Sequence, residues 1–239
     1  MFYELRKEEM KKLLFVLLLI TVIKGVANAQ FFYAQGGLNL SNITNNSSGA
    51  TEDNTVLASF NAGLMARFDV SAIVDIETGL LLTGKGAKAE TSFNGGEDYI
   101  KSSFNPLYVE LPVNLVVNIP LTKSAKLFLN AGPYAAVGVA GKSKVNSQFL
   151  GIKLSSEEDI QFNNDDPFTS EQEDASYNKL KRFDYGLNFG GGIDLKKVLI
   201  KVNYGLGLTK IGSTEDNNNA DDKNKYRVFS VSLGIPFGR

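Results

Sequence analysis

From Phe32 to the end of the chain, apolar side chains recur at every second position in eight separate runs. A strand turns successive side chains to opposite faces, so this period means extended chain with one apolar and one polar face. Phe60, Ala62, Leu64, Ala66 and Phe68 share a face, opposed by Asn61, Gly63, Met65 and Arg67. The pattern returns in Val74–Leu82, Leu107–Val117, Leu127–Val139, Tyr185–Ile193, Val198–Leu208 and Phe229–Phe237, and it opens the series in Phe32–Leu40. Each run is about ten residues or slightly longer. At about 3.3 Å per residue and a tilt near 40°, that length crosses an apolar layer of roughly 25 Å.

The connections sort by parity. Ser41–Thr55, Gly84–Ser103, Gly141–Lys181 and Ile211–Lys225 are long, whereas Asp69–Ala72, Ile119–Ala125 and Asp194–Lys197 are short. Strict alternation of long and short is the habit of a barrel threaded through an outer membrane, with short periplasmic turns and long outer loops. A soluble sandwich has no reason to sort its connections in this way. The expected fold is therefore all-β: an eight-stranded antiparallel up-and-down transmembrane β-barrel, in contact with outer-membrane lipid. Its long outer loops are the expected contact with a protein or surface partner.

The two faces differ in kind. The apolar face carries no charge in any run, while the other is rich in Gly and Asn, which suit the inside of a narrow cylinder. That inner face also holds charges of both signs: Arg67 and Lys201 against Asp75, Glu77, Glu110 and Asp184. They are expected to pair across the interior, because a lone buried charge costs several kcal/mol. A lumen filled in this way is a plug. The inverse arrangement, a soluble periplasmic barrel binding an apolar ligand in a lipocalin-like manner, needs the apolar face inside.

The first 29 residues read differently. Lys11 and Lys12 precede an apolar run from Leu13 to Ile23, and Ala27-Asn28-Ala29 supplies a small-residue cleavage site. Basic, apolar and small come in the order of a secretory signal peptide, so residues 1–29 are expected to be removed and 30–239 to form the barrel. Met10 is a second candidate start. The apolar run is too short to span a bilayer.

Stretches within the runs resemble a known family. Gly36-Gly37-Leu38-Asn39-Leu40-Ser41, Tyr108-Val109-Glu110-Leu111-Pro112, Asp184-Tyr185-Gly186-Leu187-Asn188-Phe189-Gly190-Gly191-Gly192 and Tyr204-Gly205-Leu206-Gly207-Leu208 occur in order. Together they resemble the outer-membrane β-barrel domain family, often labelled porin-family or PorT-like. The resemblance implies the fold, a place in the Gram-negative cell envelope and passage through the barrel assembly machinery. Such barrels often end on an aromatic residue; here Phe237 is followed by Gly238 and Arg239. The resemblance implies no catalytic residues. A few members serve secretion or gliding, which keeps a transport or secretion-associated role as the alternative to a structural, adhesive or accessory one.

Other chemistry is weakly supplied. The chain has no His and no Cys, which removes the usual general base, the commonest metal ligand and any thiol chemistry. A formal net charge of −1 does not suit a nucleic-acid partner. Gly79-Leu80-Leu81-Leu82-Thr83-Gly84-Lys85-Gly86 approaches a phosphate-binding loop but ends on Gly86 where a hydroxyl is required, and it reads as the rim of the third strand. Asp75 and Glu77 share one strand face about 6.6–7 Å apart, yet no substrate cleft is implied beside them. The acidic positions from Glu157 to Asp174 and from Glu215 to Asp222 lack calcium-loop spacing and read as solvated loop. No enzyme activity, metal or cofactor is expected.

Overall fold

The computed structural model describes residues 31–44, 56–94, 97–163, 179–209, 211 and 225–237. The signal-peptide reading for residues 1–29, the acidic positions 165–174 and 215–222, and the terminal Gly238 and Arg239 lie outside them. Twelve strands occur among the described residues: β1 (Phe31–Thr44), β2 (Leu57–Asp69), β3 (Val74–Gly84), β4 (Ala87–Phe93), β5 (Asp98–Pro120), β6 (Lys126–Phe149), β7 (Ile152–Asp159), β8 (Gln161–Asn163), β9 (Lys179–Lys181), β10 (Phe183–Asp194), β11 (Leu199–Gly207) and β12 (Lys225–Phe237).

Eight of these close a ring in the order β1-β2-β3-β5-β6-β10-β11-β12, every pair antiparallel. The ring is closed by β1 with β12, from Phe32 opposite Phe237 to Thr44 opposite Lys225. Closure leaves no edge strand in the ring. Its members are the eight alternating runs of the sequence, joined as an up-and-down barrel. The short turns close on backbone hydrogen bonds: Val70 N–H to Val74 O, Leu121 N–H to Ala125 O and Leu195 N–H to Val198 O. Lys196 takes a left-handed φ of 64°, and the Asp194 carboxylate caps its N–H at 2.8 Å. Phe31 lies at this short-turn end, opposite Arg67.

The facing is that of a membrane barrel. Leu38, Leu64, Leu80, Leu129, Val202, Leu233 and Ile235 point out and are exposed, while Asn39, Glu77, Asn114, Asn130, Lys201 and Ser232 are buried inside. Phe32 and Phe237 stack outside at the short-turn end, their centroids 6.1 Å apart. A soluble barrel with an apolar lumen has the opposite facing, so that alternative is corrected by the structure.

Two expected loops are corrected as well. The connection 84–103 is mostly strand. β4 pairs with the upper part of β5 in the register that β3 keeps with its lower part, from Val74 opposite Val117 to Phe93 opposite Asp98. The first part of the connection 141–181 is also strand: β6 runs on to Phe149 and returns as β7. Leu150 and Gly151 make that two-residue turn with φ of 49° and 80°, the both-positive geometry whose twist suits a hairpin. β4, the upper β5, the upper β6 and β7 thus form a four-stranded sheet standing beyond the barrel at its long-connection end. These strands were missed because both their faces meet solvent, which removes the apolar alternation.

That sheet has two unlike faces. Lys88, Lys101, Lys142, Lys144 and Lys153 share the outward side with Glu90, Glu157 and Asp159. Phe93, Ile100, Val145, Phe149, Ile152 and Leu154 share the other and are all exposed. A register shift in the β5–β6 pairing, where Leu107 faces Ala140 but Tyr108 faces Gly138, sets this arrangement. The extra β6 residue reverses the parity of everything beyond it and turns Lys142 and Lys144 outward.

Candidate functional site

The interior is built in layers. At the short-turn end Phe31, Tyr33, Met65, Leu81, Val116, Phe128 and Leu199 form a buried apolar cluster. At the long-connection end a second cluster gathers Ile43, Ala87, Tyr108, Tyr134, Ala136, Ile211, Tyr226 and Val228, with Phe162 and Leu180 packed on it. Phe162 comes from β8, which pairs in parallel with β9, and its ring meets Tyr108 edge-on at 5.7 Å. The inner glycines make this filling possible. A Cβ on Gly192 would lie 2.7 Å from the Phe128 ring, and one on Gly186 would lie 2.6 Å from the Tyr134 ring. Each large ring therefore lies over a residue without a side chain on the neighbouring strand.

Between the clusters lie the charges, in two groups. In the first, Glu77 sits at the centre. Arg67 Nε donates to Glu77 Oε2 at 2.8 Å, the Tyr33 hydroxyl donates to the same oxygen at 2.7 Å, and Lys201 Nζ pairs with Oε1. Asn114 Nδ2 also donates to Oε1, at 3.4 Å. The Arg67 guanidinium lies 4.2 Å from the Phe128 ring centroid, with Phe31 and Tyr33 at 5.8 and 5.9 Å. A planar cation between ring faces and a carboxylate is well held in the absence of water.

In the second group, Lys85 sits at the centre. Its Nζ lies 2.8 Å from both Glu110 Oε2 and Asp184 Oδ2, and 4.1 Å from the Tyr134 ring centroid. The Tyr134 hydroxyl donates to Asp184 Oδ2 at 3.1 Å, and Asn188 Nδ2 donates to Glu110 Oε1 at 3.2 Å. The first group holds two cations and one anion, the second one cation and two anions. Their opposite excess charges attract each other along the barrel axis.

Of the six charges expected inside, Arg67, Glu77 and Lys201 come together in the first group, and Glu110 and Asp184 in the second. Asp75 joins neither; it accepts from Asn118 Nδ2 at 2.7 Å. Asp75 and Glu77 therefore have separate partners and do not form an acid–base pair. Lys85 is the residue that sequence reasoning missed, since it was read as part of a strand rim. The signal was present: the inner series Asp75, Glu77, Gly79, Leu81, Thr83 continues in phase to Lys85. Lys85 N–H donates to Pro106 O at 3.0 Å, so the extended backbone carries on across Gly84 and Gly86.

A narrow cavity of ≈ 40 Å³ lies between the groups, lined by Gln35, Asn61, Asn114, Asn203, Lys85 and Lys201 among others. That is room for about three or four waters at roughly 10–15 Å³ each. Gln35 Oε1, Asn114 Oδ1 and Asn203 Oδ1 have no protein partner, and buried polar atoms of this kind are met by ordered water.

Comparison with known proteins follows the same line. The family model for the outer membrane protein beta-barrel domain matches residues 29–213, well over half of the chain. No curated protein matches. Among solved structures, the attachment invasion locus protein Ail of Yersinia pestis, in complex with the heparin analogue sucrose octasulfate, is 14% identical with a TM-score of 0.40, covering 87% of this chain and 98% of that one. Neisserial surface protein A is 10% identical with a TM-score of 0.38, covering 86% of this chain and 97% of that one. With an apolar belt outside, a charged interior within and the family model across both, the chain belongs to the outer membrane protein β-barrel domain family and is an outer-membrane protein.

Proposed function

We propose that this barrel is a plugged, non-enzymatic component of the Gram-negative outer membrane, with a structural, adhesive or accessory role exerted from its long-connection end. Residues 1–29 serve as a cleavable signal peptide. The barrel assembly machinery inserts the mature chain with its short turns in the periplasm. The observation that carries the reading is the contrast between interior and exterior. Inside, two ionic groups between apolar clusters surround a cavity of ≈ 40 Å³ among the described residues. Outside, a four-stranded sheet presents six exposed apolar side chains on one face, a surface suited to a protein or cell-surface partner.

Planar-bilayer recording of the folded, purified barrel tests this. No discrete conductance is expected from the wild-type protein. Steady single-channel steps would replace the reading with the transport or secretion-associated one.

A further inference from the structure

The outward face of the four-stranded sheet continues the lipid-facing side of the barrel. On β5 and β6 below, that side carries no charge; above, lysines outnumber carboxylates five to three. A bilayer boundary just beyond Val139 would set this change at the headgroups. Lys142 and Lys144 lie three and five residues beyond Val139, an exposed apolar residue, and so roughly 7–12 Å higher along a tilted strand. Headgroups occupy about 5–8 Å on each side of the hydrocarbon, and a lysine stem reaches several ångström back toward them.

Within that face one row has the form of an anion cradle. Lys88 is opposite Ser103, and Ser103 is opposite Lys144. The two lysines therefore flank the serine across three adjacent strands, about 9.6 Å apart at the backbone. An anion between them would meet two ammonium groups and a hydroxyl donor. Neither Lys88 nor Ser103 has a partner among the described residues. Lys144 already holds Glu157 at 2.7 Å, which keeps its ammonium on this face.

We propose that the row Lys88–Ser103–Lys144 binds the phosphate of a phosphorylated outer-leaflet lipid and anchors the sheet to the membrane surface. The proposal rests on the outer-membrane location of the barrel and on the outward placement of its long connections. Charge complementarity and continuity with the lipid-facing side select this occupant.

The test uses the folded full-length barrel in uncharged detergent, with diphosphorylated lipid A and its dephosphorylated form as probes. The wild-type protein is expected to bind the diphosphorylated lipid at least tenfold more tightly. Lys88→Gln with Lys144→Gln should weaken it roughly 25-fold, about fivefold for each lysine at an anionic lipid surface. The corresponding double arginine variant should restore it. The shift in gel mobility between unboiled and boiled samples reports that each variant is still a closed barrel, which separates loss of binding from loss of fold. Equal affinity for the two lipids, or an unchanged affinity in the glutamine variant, would overturn the proposal. So would a soluble sulfated polysaccharide that binds more tightly than the lipid, since it would assign the row to a soluble polyanion.

Discussion

β5 and β6 run through two regions that reverse each other. In the barrel their outward side chains are apolar, and Glu110 and three asparagines lie inside among buried rings. In the sheet beyond it the outward side is charged, and the other side sets exposed apolar residues among serines. The backbone pairing is continuous, apart from the shift between Leu107 and Tyr108. The surroundings have changed, not the architecture. Lipid demands an uncharged exterior, so the charges move inside and must pair there. Water makes no such demand, and there the charges return to the surface.

The comparison is broken most severely by unpairing the interior. Glu77→Ala leaves Arg67 and Lys201 without their carboxylate and should cost about 3–5 kcal/mol, read from the urea unfolding midpoint in phospholipid vesicles. Removing Glu157 in the sheet, which is paired with Lys142 and Lys144, should leave that midpoint unchanged. Equal losses would mean that the two regions do not differ as described. Next in size is a charge placed on the lipid side. Leu64→Arg, near the middle of β2, should cost about 2–4 kcal/mol in the same assay. Val145→Arg, on the sheet's exposed apolar face, should stay within about 0.5 kcal/mol.

A smaller effect should sharpen the contrast from the other side. Leu150 holds a left-handed φ of 49° at the β6–β7 turn, a conformation costing a branched side chain about 1–2 kcal/mol. Leu150→Gly should slow hydrogen exchange of the β6–β7 amides about five- to thirtyfold and leave those of the barrel alone. The least effect is one of pH. Hydrogen bonds from Lys142 and Lys144 hold the Glu157 carboxyl down at about 2, below the usual 4.5. Its contribution is fully present above pH 4.5 and is lost as pH falls toward 2. Chemical shifts of the β6–β7 amides should therefore move below pH 4 and stay constant from pH 5 to 8.

The eight ring strands were legible because each keeps one face in lipid, and lipid enforces a period of two along every strand it touches. The second half of β6 was not. Lys142-Ser143-Lys144-Val145-Asn146-Ser147-Gln148 meets water on both sides and reads as loop by composition. Parity along each strand put all six expected charges on the inner face, and five of them meet in the two groups, yet the partner at the centre of the second was missed. Lys85 stands between two glycines, and turn chemistry masked an alternation that continues through it. Which inner charge meets which depends on stagger around the ring, a property of strand register that the period along a single strand does not carry.

The central claim is that the alternating apolar side faces lipid, and the chain lends itself to a direct test because it contains no cysteine. Single cysteines placed in turn from Arg227 to Phe237 along β12, spin-labelled and reconstituted in phospholipid vesicles, report collision with oxygen dissolved in the bilayer. Maxima at Phe229, Val231, Leu233 and Ile235, with minima at Ser230, Ser232 and Gly234, are predicted. Maxima at the serines, or no alternation at all, would contradict the account.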